Sequence, residues 1–386
     1  MLKNSLIIIP FQLPWDWSAD YQSQTCLELA KKNKKNLVIA YINEDARFFL
    51  KAKPPKAFPK KRNLLFYQPR YFIPLRRFAW IEKLNQLLNV WYLLIRYGSR
   101  RQRSILWIFD HNFWFFPRVK WVFPRLISLY DCVDYIWHRT PSIKKIIQAQ
   151  EKQLINSVNF FLVNSRALAK LHAPTRKPTG VVPQGFRSND FSRPKPTTTA
   201  FPKDKPTIGY LGAINHRLNF KLLRKLIKNN SQWHFIFWGP IQETEPKDAL
   251  KTNQQVDVLS TLANITFGQS ADRRELPNII KQFDVCMVPY DVSLVANKYA
   301  YPMKIFEYFY VGKPVVSTPI DELAAFPKFV KFGNSAKEWQ LKINLLLKQK
   351  WGKTIRREQR KISLANSWEN KISAIGELIK NQNGKR

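Results

Sequence analysis

Lys304 and Glu307, three residues apart, could together grip a charged, sugar-bearing leaving group. They lie in Tyr301–Thr318, where a helical pattern ends at Gly312 and Pro314 opens the next element. Side chains at i and i+3 of a helix share a face. A lysine neutralises phosphate, and a carboxylate accepts from two sugar hydroxyls at once. A solvated ion pair has the same spacing. A second feature is TIGYLGA, Thr207–Ala213, an apolar run that enters Gly209 and Gly212 before a helical pattern. Glycine permits close backbone approach, and a helix N-terminus offers free N–H groups to an anion. The spacing is neither GxGxxG nor GK[ST], which leaves a tight turn or a phosphate loop of another kind. A third group is Asp131 and Asp134, just after the apolar run Leu126–Tyr130. The C-terminal edge of such a strand is where α/β sheets carry their sites, and either carboxylate could act as general base. Asp134 is the first choice, with Asp131, His138 and Asp16 behind it. Asp131 could equally cap a turn or a helix. His111 and His138 are isolated, and neither HExxH nor closely spaced His and Cys is present, so no metal ligands are expected.

These residues need a scaffold. Ser5–Pro10 and Asn36–Tyr41 read as strands around a helix at Asp20–Lys32, a βαβ unit. Ile81–Tyr97 and Ser142–Ser157 read as helices; Ser104–Phe109, Leu126–Tyr130, Phe160–Asn164 and Gly180–Pro183 read as strands. Residues 192–206 hold four prolines and three threonines and read as a linker. A second alternation then begins. Its strands are Thr207–Leu211, His234–Trp238, Asn264–Phe267, Val285–Pro289 and Pro314–Ser317. Its helices are Asn219–Asn229, Glu275–Gln282, Met303–Val311 and Lys337–Lys348. The expected fold is α/β, with two doubly wound domains facing each other across a cleft.

Composition narrows the class of function. The 386 residues include 64 Lys and Arg against 27 Asp and Glu, a formal charge of +37, and 45% are hydrophobic. That apolar content excludes a disordered chain. Cys26, Cys132 and Cys286 are too dispersed for a disulfide scaffold and suit a reducing compartment. No apolar run approaches the roughly 20 residues that span a bilayer. The charge points to polyanionic partners. It is densest in 51–125, which has 17 basic and two acidic residues among about 18 aromatics. Cations beside Trp and Phe suit an anionic membrane surface. They would also suit nucleic acid, but no RNP, KH, zinc-finger or helix-turn-helix signature supports that.

The stretch PMKIFEYFYVGKPVVST, 302–318, resembles the P-x-K-x-x-E-Y-x-x-x-G-K-P-V-V signature of GT-B glycosyltransferases, the broad family-4-like or group 1 superfamily. Other segments match in order: GYLGAINHRLNFKLL (209–223), FIFWGP (235–240) and NITFGQSADRRELPNIIKQFDVCMVPY (264–290). LYDCVD (129–134), FFLVNSRALAK (160–170), GVVPQGF (180–186) and NSWENKI (366–372) are similar to segments of the first domain and the crossover helix.

The resemblance implies two Rossmann-like domains. Residues 1–191 would form the acceptor- and membrane-facing domain, 192–206 the linker, and 207–360 the donor domain. Residues 361–386 would form a C-terminal helix crossing back to the first domain. It implies transfer of a sugar from a UDP- or GDP-sugar to a cell-surface polysaccharide or lipid-linked acceptor. The enzyme would be cytoplasmic and peripheral on the inner face of the membrane, with no permanently bound cofactor or metal. Lys304 then contacts the donor phosphates and Glu307 the ribose. Gly212, Asn215 and His216 approach the diphosphate, and Gly239 and Tyr290 line the nucleoside pocket. The chain departs from the pattern at Tyr299, where family-4 retaining enzymes often carry a second glutamate, so a retaining outcome does not follow. It also has Asn219 where relatives often have Asp. A basic nucleic-acid-binding protein, a sugar-nucleotide epimerase of the same shape and an inactive relative are the alternatives.

Overall fold

The run Ser5–Phe11 has no polar alternation, and every residue in it is buried. Such a run encodes a parallel strand covered on both faces. Leu37–Ile42 is the same. The computed structural model describes residues 4–12, 14–15, 21–43, 54–74, 78–136, 138, 140–197, 200–243 and 246–383. Asp16, and positions 51–53 and 75–77 of the basic region, lie outside the described residues.

The chain divides into two units, Met1–Gln184 with Trp368–Arg386, and Gly185–Ser367. In unit 1 the order is β1 (Ser5–Phe11), α1 (Tyr21–Lys32), β2 (Leu37–Ile42), β3 (Leu64–Tyr67), α2 (Ala79–Leu93), β4 (Arg103–Ile108), β5 (Ile127–Cys132), α3 (Pro141–Ser157), β6 (Phe160–Val163), α4 (Arg166–His172) and β7 (Gly180–Val181). The strands form one sheet in the order β3-β2-β1-β4-β5-β6-β7, with every pairing parallel.

Unit 2 opens with α5 (Ser188–Ser192) and continues through β8 (Thr207–Leu211), α6 (Phe220–Lys228), β9 (His234–Trp238), α7 (Pro246–Ser260), β10 (Ile265–Gly268), α8 (Leu276–Ile280), β11 (Val285–Val288), α9 (Val295–Lys298), α10 (Lys304–Val311), β12 (Val315–Ser317), β13 (Val330–Phe332), α11 (Ala336–Lys348) and α12 (Lys353–Ala365). Its six parallel strands run β10-β9-β8-β11-β12-β13. The last helix, α13 (Trp368–Asn383), belongs to unit 1, where Ile372, Ile375 and Ile379 join the core.

The sequence-based elements lie within one or two residues of most of these. Several elements escape pattern reading: β3 and β13, which are too short to show alternation, the short helices α4, α5 and α9, and α7 and α12, whose polar faces dominate their composition. Residues 192–206 lie in unit 2, where Phe201 is packed in the core and the Lys195 amide donates to the Arg274 carbonyl at 2.9 Å.

Each sheet changes direction of strand addition at one point, between β1 and β4 in unit 1 and between β8 and β11 in unit 2. Doubly wound sheets bind ligands beyond the C-terminal ends of the strands at such a point. Gly212 follows β8 there, and Tyr290 follows β11.

Candidate functional site

α10 buries Ile305, Phe306, Tyr308, Phe309 and Tyr310 and leaves Lys304 and Glu307 part-exposed. It ends at Gly312, whose φ of 82° is left-handed and suits a residue without Cβ. Tyr308 fixes the helix to the switch point: its hydroxyl accepts from the Leu211 amide at 2.9 Å and donates to the Met287 carbonyl at 3.4 Å. Lys304 Nζ donates to Tyr210 Oη at 2.7 Å and lies 3.9 Å and 4.9 Å from the ring centres of Tyr210 and Tyr290. Among the described residues no carboxylate pairs with it. Burial pushes its pKa below the usual lysine value.

Gly212 completes this cradle. Its φ is 129°, and a Cβ there would lie 3.0 Å from Lys304 Nζ. Gly239, at φ 148°, packs directly on it, so a Cβ on Gly239 would come within 2.3 Å of the Gly212 carbonyl oxygen. Beyond Gly239 opens a mostly apolar pocket of about 470 Å³, lined among others by Ile214, Ile241, Val256, Phe267 and Gln269. Tyr290 is not among its lining residues; its ring instead meets two cations, with the Arg217 guanidinium 5.0 Å and Lys304 Nζ 4.9 Å from its centre.

Glu307 Oε1 accepts from Arg273 Nη2 at 3.1 Å, and Arg273 Nε lies 3.5 Å from Asp190. His216 is held by Glu243: its amide donates to Oε1 at 2.6 Å and its Nδ1 lies 2.6 Å from Oε2. Thr252 Oγ1 donates to the same Oε1 at 2.5 Å, so Glu243 ties the loop after β8 to α7. Asn215 Oδ1 accepts from the Arg217 amide at 3.2 Å, a turn-forming bond. Asn219 is the N-cap of α6, its side chain accepting from the Leu222 amide at 3.0 Å.

Arg217 is a residue the sequence reading missed. Its Nε donates to Asn297 Oδ1 at 2.7 Å, and no carboxylate pairs with it among the described residues. The available signal was a cation five positions after the loop glycine. Arg273 and Glu243 were also missed; their partners are distant in sequence.

In unit 1, Asp131 does not reach solvent. It is fully buried on β5, with its two oxygens 3.2 Å and 3.1 Å from Nζ of Lys371 on α13, itself buried. A carboxylate sealed in an ion pair has no access to a substrate proton, so Asp131 is a structural residue. Asp134, two residues past β5, is exposed. His138 Nδ1 accepts from the Thr140 amide at 3.0 Å, and His111 lies 3.3 Å from Asp110 with its pKa lowered by burial.

Two groups of potential metal-ligand atoms, which no spacing announced, come within 4.8 Å of one another: Cys132, Glu151 and His172, and His216, Glu243 and Asp248. In the first, Tyr130 Oη donates to Glu151 Oε1 at 2.8 Å, and Cys132 Sγ lies 3.8 Å from both Glu151 and His172. Hydrogen bonding accounts for this buried cluster.

Unit 2 is a doubly wound α/β domain, with a glycine-lined cradle and two cations at the switch point of its parallel sheet. Residues 192–364 match the family model described as Glycosyl transferases group 1. The chain as a whole has the GT-B fold. It superposes on the sucrose-phosphate synthase of Thermosynechococcus elongatus with a TM-score of 0.72 at 14% identity, covering 99% of this chain and 100% of that one. HepE of Anabaena, solved in complex with UDP and glucose, gives 0.68 at 15% identity over 97% and 99%. In sequence it is 25% identical over 216 residues to TuaH of Bacillus subtilis (strain 168), named as a glycosyltransferase of teichuronic acid biosynthesis. That match spans 52% of each chain, about half the length of the relative.

Proposed function

We propose that this chain is a glycosyltransferase. It takes a UDP- or GDP-sugar into unit 2 and transfers the sugar to a cell-surface polysaccharide or lipid-linked glycan on the cytoplasmic face of the membrane. The observation that carries the reading is the Lys304 ammonium, seated on two tyrosine rings beside Gly212 without a carboxylate partner among the described residues. A part-buried cation of this kind calls for an anion. The donor diphosphate is that anion, and Arg217 is its second cation. The nucleobase fills the apolar pocket beyond Gly239, and Glu307 accepts from the ribose hydroxyls while Arg273 holds one of its oxygens.

In the reaction, the acceptor oxygen forms a bond to the anomeric carbon as the bond to the diphosphate oxygen breaks. The electron pair leaves on the nucleoside diphosphate, where Lys304 and Arg217 stabilise the growing charge. In an inverting transfer the acceptor proton goes to a general base, which we assign to Asp134. TuaH's name and the basic surface of unit 1 support a cell-envelope acceptor met at a membrane.

Calorimetric titration with UDP and GDP tests the donor site. Wild type should bind one of them, and Lys304→Met should weaken that binding by tenfold or more, an ordinary magnitude for a charge-assisted phosphate contact. Unchanged affinity would remove Lys304 from the site. Asp134→Asn tests the base: kcat should fall about 100-fold or more while nucleotide affinity stays as it was. Full turnover in that variant would leave the assignment without support.

A further inference from the structure

The helix α2 is partly inside out. Its buried face includes three amides, Asn85, Gln86 and Asn89. Asn89 Oδ1 accepts from Tyr67 Oη at 2.6 Å and the Arg70 amide at 2.8 Å, and its Nδ2 donates to the Arg70 carbonyl at 2.7 Å. Asn85 accepts from the amides of Phe72 and Ile73 at 2.9 Å and 2.8 Å and donates to the Ile73 carbonyl at 2.9 Å. These amides satisfy the backbone of the segment at 70–73, which lies outside the strands. Trp80, Leu84, Leu87, Leu88, Trp91 and Ile95 take the opposite sector, spaced so that they share one stripe on α2 and the turn that continues it. None of the six is fully buried, and Trp80 and Ile95 are 65% and 66% exposed.

The turn Phe116–Trp121 packs against α2 and ends in Trp121, 87% exposed, and Val122, 55% exposed. Across all the described residues, the large exposed aromatics are Phe72, Phe78, Trp80, Tyr92 and Trp121, every one of them in this region. The cations here are exposed too, among them Arg96, Arg100, Arg103, Arg118 and Arg125. No exposed Asp or Glu lies among the described residues of 54–125, since Glu82 and Asp110 are both part-buried. No helix among the described residues is long and apolar enough to cross a membrane.

We propose that the outward stripe of α2, with Trp121 and Val122, inserts into one leaflet of an anionic bilayer and so docks unit 1 on the membrane. This rests on the membrane-surface reading above and names the element that carries it. Charge complementarity decides the occupant. A protein partner would be expected to meet mixed charge, whereas the described residues of 54–125 combine exposed cations and exposed Trp and Tyr rings with no exposed carboxylate, the composition that seats interfacial helices among acidic headgroups. Trp114 shows how the cations extend along aromatic surface, with Lys83 Nζ 5.1 Å and the Arg118 guanidinium 4.9 Å from its ring.

The test is vesicle co-sedimentation of the full chain, with vesicles of phosphatidylcholine alone and of phosphatidylcholine mixed with phosphatidylglycerol. Wild type should partition onto the anionic vesicles, more weakly as salt is raised. Trp80→Ser/Ile95→Ser/Trp121→Ser should lose about tenfold in partitioning, as expected when buried apolar area is removed, with its thermal midpoint and its titration by whichever of UDP and GDP wild type binds unchanged. Equal partitioning of variant and wild type, or absence of wild type from anionic vesicles, overturns the proposal. So does binding to single-stranded RNA that the triple substitution weakens in place of vesicle binding. A chain that binds vesicles but neither UDP nor GDP would retain the docking surface and lose the donor reading instead.

Discussion

Titration at single residues gives unit 1 a pH signature. Burial raises the Glu151 carboxyl from its ordinary 4.5 to about 7, and burial lowers His172 from 6.5 to about 4. Between pH 4.5 and 7 the folded Glu151 holds a proton that the unfolded chain releases, so its effect is to lower stability as pH rises, by on the order of 3 kcal/mol in total. His172 acts in the opposite sense: the unfolded chain binds the extra proton, so stability rises from pH 4 to 6.5. The two slopes offset each other through most of that window. Glu151→Gln, which can still accept from Tyr130, should uncover the His172 slope. In urea unfolding its stability should climb from pH 4 to 6.5 and then level off, with wild type much flatter over the same range. Parallel curves for the two proteins would mean that Glu151 titrates normally. Nothing in the spacing of Cys132, Glu151 and His172 announces this cluster, since it forms only when β5, α3 and α4 pack. Lys304 and Glu307 were legible because both lie on one helical turn. Arg217, Glu243 and Arg273 were not, because their partners Asn297, His216 and Glu307 are 80, 27 and 34 positions away.

At the level of elements, strands buried on both faces were read closely from sequence: Thr207–Leu211 and His234–Trp238 match to the residue. A continuous apolar run bounded by turn residues has few alternatives. Helices with mixed faces were harder. The run Ile81–Tyr97 was found as a helix, but its orientation was not, because Asn85 and Asn89 on the core side contradict the usual amphipathic rule. Only the chain at 70–73, whose backbone they hydrogen-bond, explains them. Asp131 has the same history: an aspartate at the end of a strand reads as a site residue until Lys371, 240 positions later, is found beside it. A buried ion pair broken on one side leaves an uncompensated charge, so this contact fixes where α13 can dock.

For the whole molecule, chain continuity sets which parts can stand alone. Unit 2 is one unbroken segment, Gly185–Ser367, whereas unit 1 needs its C-terminal return, Trp368–Arg386. A fragment of residues 185–367 should therefore melt cooperatively and keep nucleotide affinity. A fragment of residues 1–184 should not fold, because it lacks Ile372, Ile375 and Ile379 from its core and leaves Asp131 without Lys371. Calorimetry on both fragments checks this, and a cooperative transition in the shorter-cored 1–184 piece would contradict it. The sequence by itself determined the α/β alternation, the basic character of 51–125 and the turn carrying Lys304 and Glu307. Each follows from local periodicity or composition. The tertiary structure alone decided that Asp131 is buried, that Arg217 flanks Tyr290 and that α2 buries Asn85 and Asn89. Those outcomes depend on which distant segment arrives beside a side chain, and no local spacing encodes that.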